Sequence, residues 1–351
     1  MKAPSLPPKL AIIGAGAWGT ALAAHAARLN LAVSLWAYEP DVAEQINRER
    51  INQAFLPGVK LPGDITAFTD LGPVLDGQKL VLMVAPSHFM RETALRMAPA
   101  LAPDALVISA SKGIEDGTSA TMVQILEEEF QLNSGQELGA LSGPSFAREV
   151  ALGLPTAVTL AMRSRPLART VQALLSAPTF RIYTSLDLVG VELGGALKNV
   201  YAIAAGICDG FGLGLNARAA MLPRALGEMT RMAVAMGANP MTLAGLSGMG
   251  DLILTATGEL SRNHQVGFRL GGGEKLADIL AGRRDVAEGI RNARSVHGLA
   301  QRYQVEMPMA REIYRVLYEG KEPRQGLVDL LRRPLKDELD PPVTAFPESR
   351  L

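Results

Sequence analysis

The chain has 351 residues, and because an average domain has about 100–200 residues, this length predicts two domains. Hydrophobic residue types make up 48% of the sequence and charged types 20%, which excludes a chain too polar to form a core. Thirty-five basic residues cancel thirty-five acidic ones, so the net charge of zero argues against extended polyanions as partners. We therefore expect neither nucleic acid nor an anionic membrane as a partner.

The distribution of cysteine, histidine and charge bears on the cell compartment, on metals and on membranes. Cys208 is the single cysteine, which fits a reducing cytoplasm, and the histidines are too scattered for a metal site. Residues 1–10 lack the apolar segment of a secretion signal, and the longest uncharged stretch, 232–250, contains four glycines and Pro240. We expect a cytoplasmic protein without a bound metal or a stable membrane segment, in which 232–250 forms a buried helix and a glycine-rich turn.

The amino-terminal half alternates apolar runs with helix-like stretches. Strands are predicted at 9–13, 32–36, 80–85, 106–110, 139–142, 156–161 and 180–183, and helices at 19–30, 121–130 and 167–175. Continuous apolar strands that alternate with helices predict a parallel sheet covered on both faces. Ligands of such a sheet bind at the carboxyl ends of its strands.

From residue 188 onward the sequence is mostly helical. Helices are predicted at 191–207, 222–236, 275–280, 295–303 and 310–320. We therefore predict an α/β domain at 1–187 and an all-α domain at 188–336. Residues 337–351 contain three prolines and are predicted to form a disordered tail.

Residues 14–19, GAGAWG, form a G-x-G-x-x-G motif between the first predicted strand and the first predicted helix. In this context Gly14 would make a tight turn, Gly16 would let the backbone approach a pyrophosphate, and Gly19 would allow close helix–strand packing. The phosphates would lie at the helix amino terminus, where N–H groups and the helix dipole attract anions. The motif predicts that domain 1–187 binds a dinucleotide.

The residues after the second strand separate NAD from NADP in such domains. An acidic residue there binds the ribose 2′-hydroxyl, whereas a basic residue binds a 2′-phosphate. Here Tyr38 and Glu39 follow the strand, and Glu39 can equally begin the next helix. The sequence leaves NAD and NADP both open.

Two polar segments follow apolar strands at the edge where ligands bind. Lys112, in SASKGIE, follows the strand at 106–110, and Ser145, in LSGPSF, follows the strand at 139–142. Ser145 and neighbouring backbone N–H groups could hold an anion. The alternative for Lys112, taken alone, is a solvated loop lysine.

Lys198 is the only charged residue between Glu192 and Asp209, in a stretch that is apolar on nearly all sides. Such a helix is buried, and burial lowers the pKa of a lysine toward neutrality, the condition for proton exchange with a substrate oxygen. The alternatives are a side chain that reaches the surface or one that pairs with an acid such as Asp251.

Downstream of this helix lie three further candidate residues. Asp251 follows a glycine turn, and a helix N-cap is the alternative to a role in the site. Arg262 and Asn263 offer a guanidinium and an amide, which suit a phosphate monoester as well as the protein surface.

Together these segments resemble NAD(P)-dependent glycerol-3-phosphate dehydrogenases of the bacterial type, in order, from about residue 9 to residue 336. The segments that carry the resemblance are GAGAWGTALA, NQAFLPGVKLP, VAPSH, SASKGIE, LSGPSFAREV, VGVELGGALKNVYAIAAGICDG, GMGDLILT, SRNHQVG and VAEGIRNARSV. The resemblance implies a Rossmann-type doubly wound α/β sheet followed by an all-α domain like that of 6-phosphogluconate dehydrogenase. LGGALKN and SRN are specific to this family rather than shared by all dinucleotide-binding proteins.

The resemblance also implies roles for individual residues. Lys198 matches the family's proton donor and acceptor, and Asn199 and Thr255 fall where related enzymes support that lysine at the substrate. Other substrate positions match Lys112, Gly143, Ser145, Asp251, Ser261, Arg262 and Asn263, and cofactor positions match Ala17, Trp18, Tyr38, Lys112, Ala147, Arg262, Val286 and Glu288. The family often has Ser at the position of Ala17 and His or Arg near Tyr38, so the missing cation argues against a strong preference for NADP.

The resemblance implies reversible hydride transfer between a nicotinamide and C2 of dihydroxyacetone phosphate, which supplies sn-glycerol 3-phosphate for phospholipid synthesis. Lys198 would protonate the developing alkoxide, and Lys112 and Asp251 would fix its position and charge. Arg262 and Asn263 would hold the phosphate.

Two alternatives stay open. A related two-domain reductase of a hydroxy or keto acid has no particular need for the SRN segment. A protein that binds the dinucleotide as a redox signal, without chemistry, has no reason to keep Lys198 beside Asp251. For the dehydrogenase that the resemblance implies, a homodimer through the helical domain is expected.

Overall fold

A computed structural model describes residues 6–130, 137–281, 287–335 and 337–338. Its strands are β1 (Lys9–Ile13), β2 (Ala32–Trp36), β3 (Ile51–Asn52), β4 (Leu56–Lys60), β5 (Ile65–Phe68), β6 (Leu80–Met83), β7 (Leu106–Ser109), β8 (Glu137–Ser142), β9 (Thr156–Met162) and β10 (Phe180–Ser185). The helices of the first half are α1 (Ala17–Arg28), α2 (Pro40–Glu49), α3 (Leu71–Leu75), α4 (Met90–Met97), α5 (Met122–Phe130), α6 (Ala147–Leu152) and α7 (Arg165–Leu175).

Helices make up the regular structure described after β10. They are α8 (Leu188–Gly210), α9 (Gly214–Ala235), α10 (Pro240–Ala244), α11 (Asp251–Thr257), α12 (Arg262–Gly271), α13 (Leu276–Leu280), α14 (Glu288–Arg302), α15 (Pro308–Tyr318) and α16 (Pro323–Leu331). A π-helical turn, Leu246–Gly250, leads directly into α11.

One eight-stranded sheet forms the centre of the first half, in the order β10-β9-β8-β7-β6-β1-β2-β5. All neighbours are parallel except β8 and β9, which run antiparallel, while β3 and β4 form a separate antiparallel pair. The expectation of a Rossmann-type parallel sheet is confirmed for every neighbouring pair except β8 and β9, whose antiparallel direction was not predicted. Apolar composition indicates that a strand is buried on both faces, and it carries no information about the strand's direction.

Side chains of β1 alternate between two apolar clusters, one on each face of the sheet. Leu10 and Ile12 pack with α1 and α7, whereas Ala11 and Ile13 pack with α3, α4 and α5. Because side chains alternate along a strand, a continuous apolar sequence suits a strand with helices on both faces.

Helix α8 is the centre of the helical half. Its first residues belong to the sheet's apolar cluster, and from Leu193 onward it contributes to a separate cluster with α9, α11, α12, α14 and α15. Among the described residues it is the one helix long and apolar enough to cross a membrane, but 94% of its most apolar window is buried inside the protein. The stretch 232–250 instead comprises the end of α9, α10 and the π-helical turn.

Helices α8 and α12 cross in close contact because both carry glycine at the contact. A Cβ at Gly206 would stand 2.0 Å from the carbonyl oxygen of His264, and a Cβ at Gly267 would stand 2.0 Å from that of Ile203. Gly210 and Gly271, one turn further along, make the same kind of approach. This close crossing sets the position of the first turn of α12 relative to α8.

Predicted strand positions agree with the structure to within about two residues. The predicted helices occur but several are longer: α8 extends beyond 191–207, α9 starts before 222, and α14 starts before 295. Pro223 lies inside α9, although a proline lacks the N–H that forms a hydrogen bond in a helix interior. No ranges were predicted for β3 to β5, α3, α4, α6, α10, α12 and α16, because most of these elements are short and give little periodic signal. A helix that begins near Glu39 and one near Asp251 were considered, and they correspond to α2 and α11. Of the predicted tail, 337–351, only residues 337 and 338 are described.

Candidate functional site

The glycine motif forms the turn between β1 and α1. Gly14 has a φ of 117°, in the left-handed region that favours glycine, and a Cβ there would stand 2.8 Å from the carbonyl oxygen of Val84. A Cβ at Gly19 would stand 1.8 Å from the carbonyl oxygen of Gly14, so the start of α1 packs directly on the strand end. A Cβ at Gly16 would meet no described atom within 4 Å, which leaves this backbone open to a ligand. The turn is therefore a cradle that fits a dinucleotide pyrophosphate.

Asn52, at the end of β3, supports this cradle. Its side chain is fully buried, and its amide nitrogen donates to the Ala15 carbonyl and to the Thr20 hydroxyl, both at 2.8 Å. The Thr20 hydroxyl also donates to the Ala15 carbonyl, at 3.1 Å. Two donors thus fix the Ala15 carbonyl within the turn. The segment NQAFLPG contributed to the family resemblance, but Asn52 was given no role, because its partners are 32 and 37 residues away in sequence.

Four predicted cofactor positions lie at the ends of elements around this cradle. Ala17 and Trp18 are in the first turn of α1, and the Trp18 indole nitrogen is buried with no hydrogen-bond partner among the described residues. Tyr38 follows β2 and is 70% exposed, edge-on to Trp36 at 6.1 Å between ring centroids. Ala147 begins α6, which packs on α1.

Glu39 immediately precedes α2, and its side chain makes no capping hydrogen bond. Val286 lies outside the described residues.

Lys112 and Lys198 meet at a shared carboxylate. Asp251 is 0% exposed, and its Oδ1 lies 2.5 Å from Lys198 Nζ while its Oδ2 lies 2.7 Å from Lys112 Nζ. Lys112 also donates to the Gly143 carbonyl at 3.0 Å, and Lys198 donates to the Thr255 hydroxyl at 2.7 Å. The interpretation of Lys112 as a solvated lysine is therefore wrong.

The N-cap interpretation of Asp251 is also wrong. Gly250 occupies the N-cap position of α11, and Asp251 is the first residue of the helix. The carboxylate is thereby free to bond two lysines that lie 139 and 53 residues away in sequence. The suggested ion pair between Lys198 and Asp251 does form, inside the protein rather than at its surface.

The environment of Lys198 sets its acidity. Burial and the Lys112 ammonium lower the pKa of Lys198 and the Asp251 carboxylate raises it, and the net result is a pKa of about 7. The Thr255 hydroxyl donates to the Asp251 carbonyl at 2.6 Å, so its lone pair is available to accept from Lys198. Of the three N–H groups of the ammonium, two have partners among the described residues. A lysine with a pKa near neutrality and an available N–H can transfer a proton to a substrate oxygen.

The end of β8 contributes backbone oxygen to the same place. Gly143 has a φ of 140°, and a Cβ there would stand 2.9 Å from the Cα of Val158, so the position favours glycine. Its carbonyl accepts from Lys112 and from the Ser145 hydroxyl, each at 3.0 Å. Ser145 is thus linked to the lysine cluster through the Gly143 carbonyl.

Asn199 does not bond to Lys198, although it follows it in α8. The Asn263 amide nitrogen donates to Asn199 Oδ1 at 2.9 Å, and Asn263 Oδ1 accepts from the Gly289 N–H at 2.9 Å. Asn199 in turn donates to the Gly195 carbonyl at 3.4 Å. The two amides therefore join α8, α12 and the start of α14, and Asn263 retains one N–H for another partner.

Arg262 begins α12 and is exposed, with the Ser261 hydroxyl capping the helix by accepting from the His264 N–H at 3.2 Å. The positive charge of Arg262 lowers the pKa of Glu288, at the start of α14, and so counteracts the effect of burial. Burial raises the pKa of Glu288, whose two oxygens accept from the Ser87 N–H at 3.2 Å and the Ser87 hydroxyl at 2.5 Å.

The predicted residues thus form a lysine–carboxylate cluster, with a hydrogen-bonded junction of α8, α12 and α14 beside it. Lys112, Gly143, Lys198, Asp251 and Thr255 are joined by hydrogen bonds, and Ser145 reaches them through Gly143. Asn199 and Asn263 belong to the junction instead. Sequence reasoning missed Ser87 as the partner of Glu288, although the segment VAPSH was singled out.

Comparison with known proteins identifies what this chain resembles. The family model described as NAD-dependent glycerol-3-phosphate dehydrogenase N-terminus matches residues 9–168, and the corresponding C-terminus model matches residues 187–328. A glycerol-3-phosphate dehydrogenase (NAD(P)+) of Syntrophobacter fumaroxidans is 50% identical over 331 residues, which cover 94% of this chain and 97% of that protein. One of Geobacter sulfurreducens is 49% identical over 330 residues, covering 94% and 98%.

A solved structure is also similar to this chain over nearly its whole length. The crystal structure of a glycerol-3-phosphate dehydrogenase from Coxiella burnetii is 38% identical in sequence, with a TM-score of 0.89. The match covers 93% of this chain and 100% of that chain.

Proposed function

The chain belongs to the NAD-dependent glycerol-3-phosphate dehydrogenase family, and on this premise we propose that it interconverts dihydroxyacetone phosphate and sn-glycerol 3-phosphate with NAD or NADP. The buried cluster of Lys112, Asp251 and Lys198 carries this proposal, because it holds an acid of near-neutral pKa where strand ends meet the helical half. The product, a phosphorylated glycerol, would supply phospholipid synthesis.

Lys198 acts as the general acid in the direction of carbonyl reduction. Its remaining N–H protonates the alkoxide that develops on the C2 oxygen, and in the reverse direction the neutral amine accepts the proton of the hydroxyl. Asp251 keeps part of the ammonium form populated in spite of burial, and the positive charge of Lys112 stabilises the developing negative charge.

The glycine cradle is the binding site for the cofactor's pyrophosphate, and Gly14, Gly16 and Gly19 support this role by their close approaches and open backbone. When bound, the nicotinamide supplies the hydride that reduces C2. We assign the remaining cofactor contacts to Ala17, Trp18, Tyr38, Lys112, Ala147, Arg262, Val286 and Glu288. The exposed phenol of Tyr38 offers no cation for a 2′-phosphate, which argues against a strong preference for NADP without excluding either cofactor.

The substrate phosphate binds at the start of α12 in this proposal. Arg262 supplies a guanidinium at the helix amino terminus, where the helix dipole adds to its attraction for an anion. Asn263 contributes its remaining N–H, and Ser261 contributes through its hydroxyl. Gly143 and Ser145 approach the substrate from the sheet side, and Asn199 supports the site by fixing the orientation of Asn263.

We infer a domain boundary at Asp187, between β10 and α8, since a separate apolar cluster begins within α8. A cytoplasmic location fits the single cysteine. A homodimer through the helical half is also proposed, and half-exposed apolar side chains such as Phe268 and Leu260 are compatible with it. Light scattering of the purified protein tests the dimer, and a monomer at micromolar concentration would reject it.

The reaction is tested by following the absorbance of NADH and NADPH in separate assays after dihydroxyacetone phosphate is added. Oxidation of at least one is expected, and oxidation of neither rejects the proposal. Parallel addition of 2-keto and 3-hydroxy acids tests the related reductase as an alternative. Lys198→Met should lower turnover by about 100-fold or more without weakening NADH binding, the usual scale for a general acid. Turnover near that of the wild type would reject the role of Lys198.

A further inference from the structure

Glu192, two turns before Lys198 in α8, has no part in the site described above, yet it makes a defined contact with the sheet half. One carboxylate oxygen accepts from the Thr121 hydroxyl at 2.8 Å, and the other accepts from the Val123 N–H at 2.8 Å. Both donors lie at the start of α5, where backbone N–H groups lack partners within the helix. Glu192 therefore caps α5 from a different helix and joins α5 to α8.

The segment that ends at Thr121 is the one that carries Lys112. Residues 110–121 connect β7 to α5, and within them Ile114 pairs with Thr121 in an antiparallel β-bridge. The Glu115 N–H donates to the Ala120 carbonyl at 2.9 Å, which closes the same small loop. Thr121 is therefore directly paired with a residue only two positions beyond Lys112.

The same segment contacts α8 at two successive turns. Glu192 holds Thr121, and one turn later a Cβ at Gly195 would stand 3.3 Å from Cγ of Lys112. Lys198 follows after another three residues. The stem of Lys112 thus lies along the helix that carries both Glu192 and Lys198.

We propose that Glu192 is a positioning residue for the reaction, which holds the segment 110–121 against α8 so that Lys112 reaches Asp251 beside Lys198. This inference rests on the role proposed above for Lys112. Glu192 does not touch the reacting atoms and acts through Thr121 and the β-bridge to Ile114. A ligand-facing lysine on a connecting segment needs such support, because a displacement of about 1 Å at a reacting centre lowers rates severely.

Both side-chain oxygens of Glu192 accept hydrogen bonds in this contact. Burial and the charge of Glu127 on α5 raise the pKa of Glu192 and the two hydrogen bonds lower it, and the net result is a pKa of about 7. Glu127 itself pairs with Arg163 at 2.5 Å. A glutamine at position 192 can keep both contacts, since its carbonyl accepts from Val123 and its NH2 donates to the Thr121 hydroxyl.

The experiment is a double-mutant cycle between Glu192 and Lys112, with kcat/KM for dihydroxyacetone phosphate as the readout. Glu192→Ala should lower kcat/KM by about tenfold, whereas Glu192→Gln should stay within about threefold of the wild type. In a Lys112→Ala background, Glu192→Ala should cause almost no additional loss. Equal losses in the two backgrounds would overturn the inference.

Failure of the inference and failure of the proposed function are distinguishable in this cycle. If Lys112→Ala alone leaves kcat/KM unchanged, the role of Lys112 in the proposed function is wrong. If Lys112→Ala is severe but the two substitutions are additive, only the inference is wrong. Should Glu192→Ala not fold, Thr121→Val removes the hydroxyl bond with little change of shape and should couple to Lys112→Ala in the same way.

Glu228 provides a matched control. Its carboxylate on α9 is also buried and caps another helix from a distance, accepting from the Met309 N–H at 2.8 Å, the Ala310 N–H at 3.2 Å and the Tyr201 hydroxyl at 3.0 Å. Glu228→Ala should lower the Tm as Glu192→Ala does, but its effect on kcat/KM should be the same with or without Lys112. Coupling of equal size for both carboxylates would overturn the specific role of Glu192.

Discussion

Replacing Asp251 with Asn removes one negative charge from between two ammonium groups and preserves the shape of the side chain. Asp251 is 0% exposed and bonds Lys198 at 2.5 Å and Lys112 at 2.7 Å. The carboxylate raises the pKa of Lys198, whereas burial and the charge of Lys112 lower it. The substitution leaves only the two lowering effects.

The size of the effect follows from the usual influence of an opposite charge at hydrogen-bond distance. We expect the pKa of Lys198 to fall from about 7 by about one to two units. At pH 7 about half of the wild-type lysine carries a proton, and about 1–9% of the variant's lysine would do so. The kcat/KM for carbonyl reduction at pH 7 should therefore fall by about 5- to 50-fold, and the loss should shrink at lower pH.

The assay measures kcat/KM for NADH-dependent reduction of dihydroxyacetone phosphate between about pH 5 and pH 9, since kcat/KM reports groups of the free enzyme. Reduction needs the ammonium, so the wild-type profile should fall as pH rises through about 7, and the Asp251→Asn profile should fall at lower pH. Asp209→Asn is the control, because Asp209 bridges Arg218 and His264 near the other end of α8. A profile of Asp251→Asn that is lowered at every pH without a shift would refute this reasoning.

Three further predictions concern the cradle, the phosphate site and stability. Gly19→Ala should lower the Tm, because its Cβ would meet the Gly14 carbonyl oxygen at 1.8 Å. Gly16→Ala should keep the Tm of the wild type and weaken NADH binding in a fluorescence titration. Unchanged NADH binding by Gly16→Ala would contradict the pyrophosphate site. Arg262→Ala should raise KM for the triose phosphate by about tenfold or more with a smaller change in kcat, since it removes a charge-assisted contact, and an unchanged KM would count against the assignment. The pKa of Lys198 is lower in the folded chain, about 7, than in the unfolded chain, about 10.5, so the unfolded state binds more protons between these values and stability rises with pH. In urea unfolding, the free energy of unfolding of the wild type, taken relative to that of Lys198→Met, should rise by at most about 1.4 kcal/mol per pH unit above pH 7. If the unfolding free energies of the two proteins change with pH in parallel, a buried lysine of lowered pKa is excluded.

Local sequence determined much of this protein. The apolar runs of β1, β6 and β7, the turn at Gly14 and the close packing at Gly19 were predicted correctly, because strand burial and tight turns impose requirements on neighbouring residues. The family resemblance was carried by such local segments as well. Lys198 could be singled out because its helix is apolar on nearly all sides, a property visible within about five turns of sequence.

The tertiary structure alone decided how these pieces meet. The antiparallel direction of β9, the contact of two lysines at Asp251 and the pairing of Asn199 with Asn263 all join residues far apart in the chain. No local pattern encodes such contacts, because they depend on how whole helices and strands pack, as the glycine contacts between α8 and α12 illustrate. The sequence by itself could supply a buried lysine and an acid that could pair with it. Only the packing of α8 against α11 and the loop after β7 turns these residues into one cluster with a shared carboxylate.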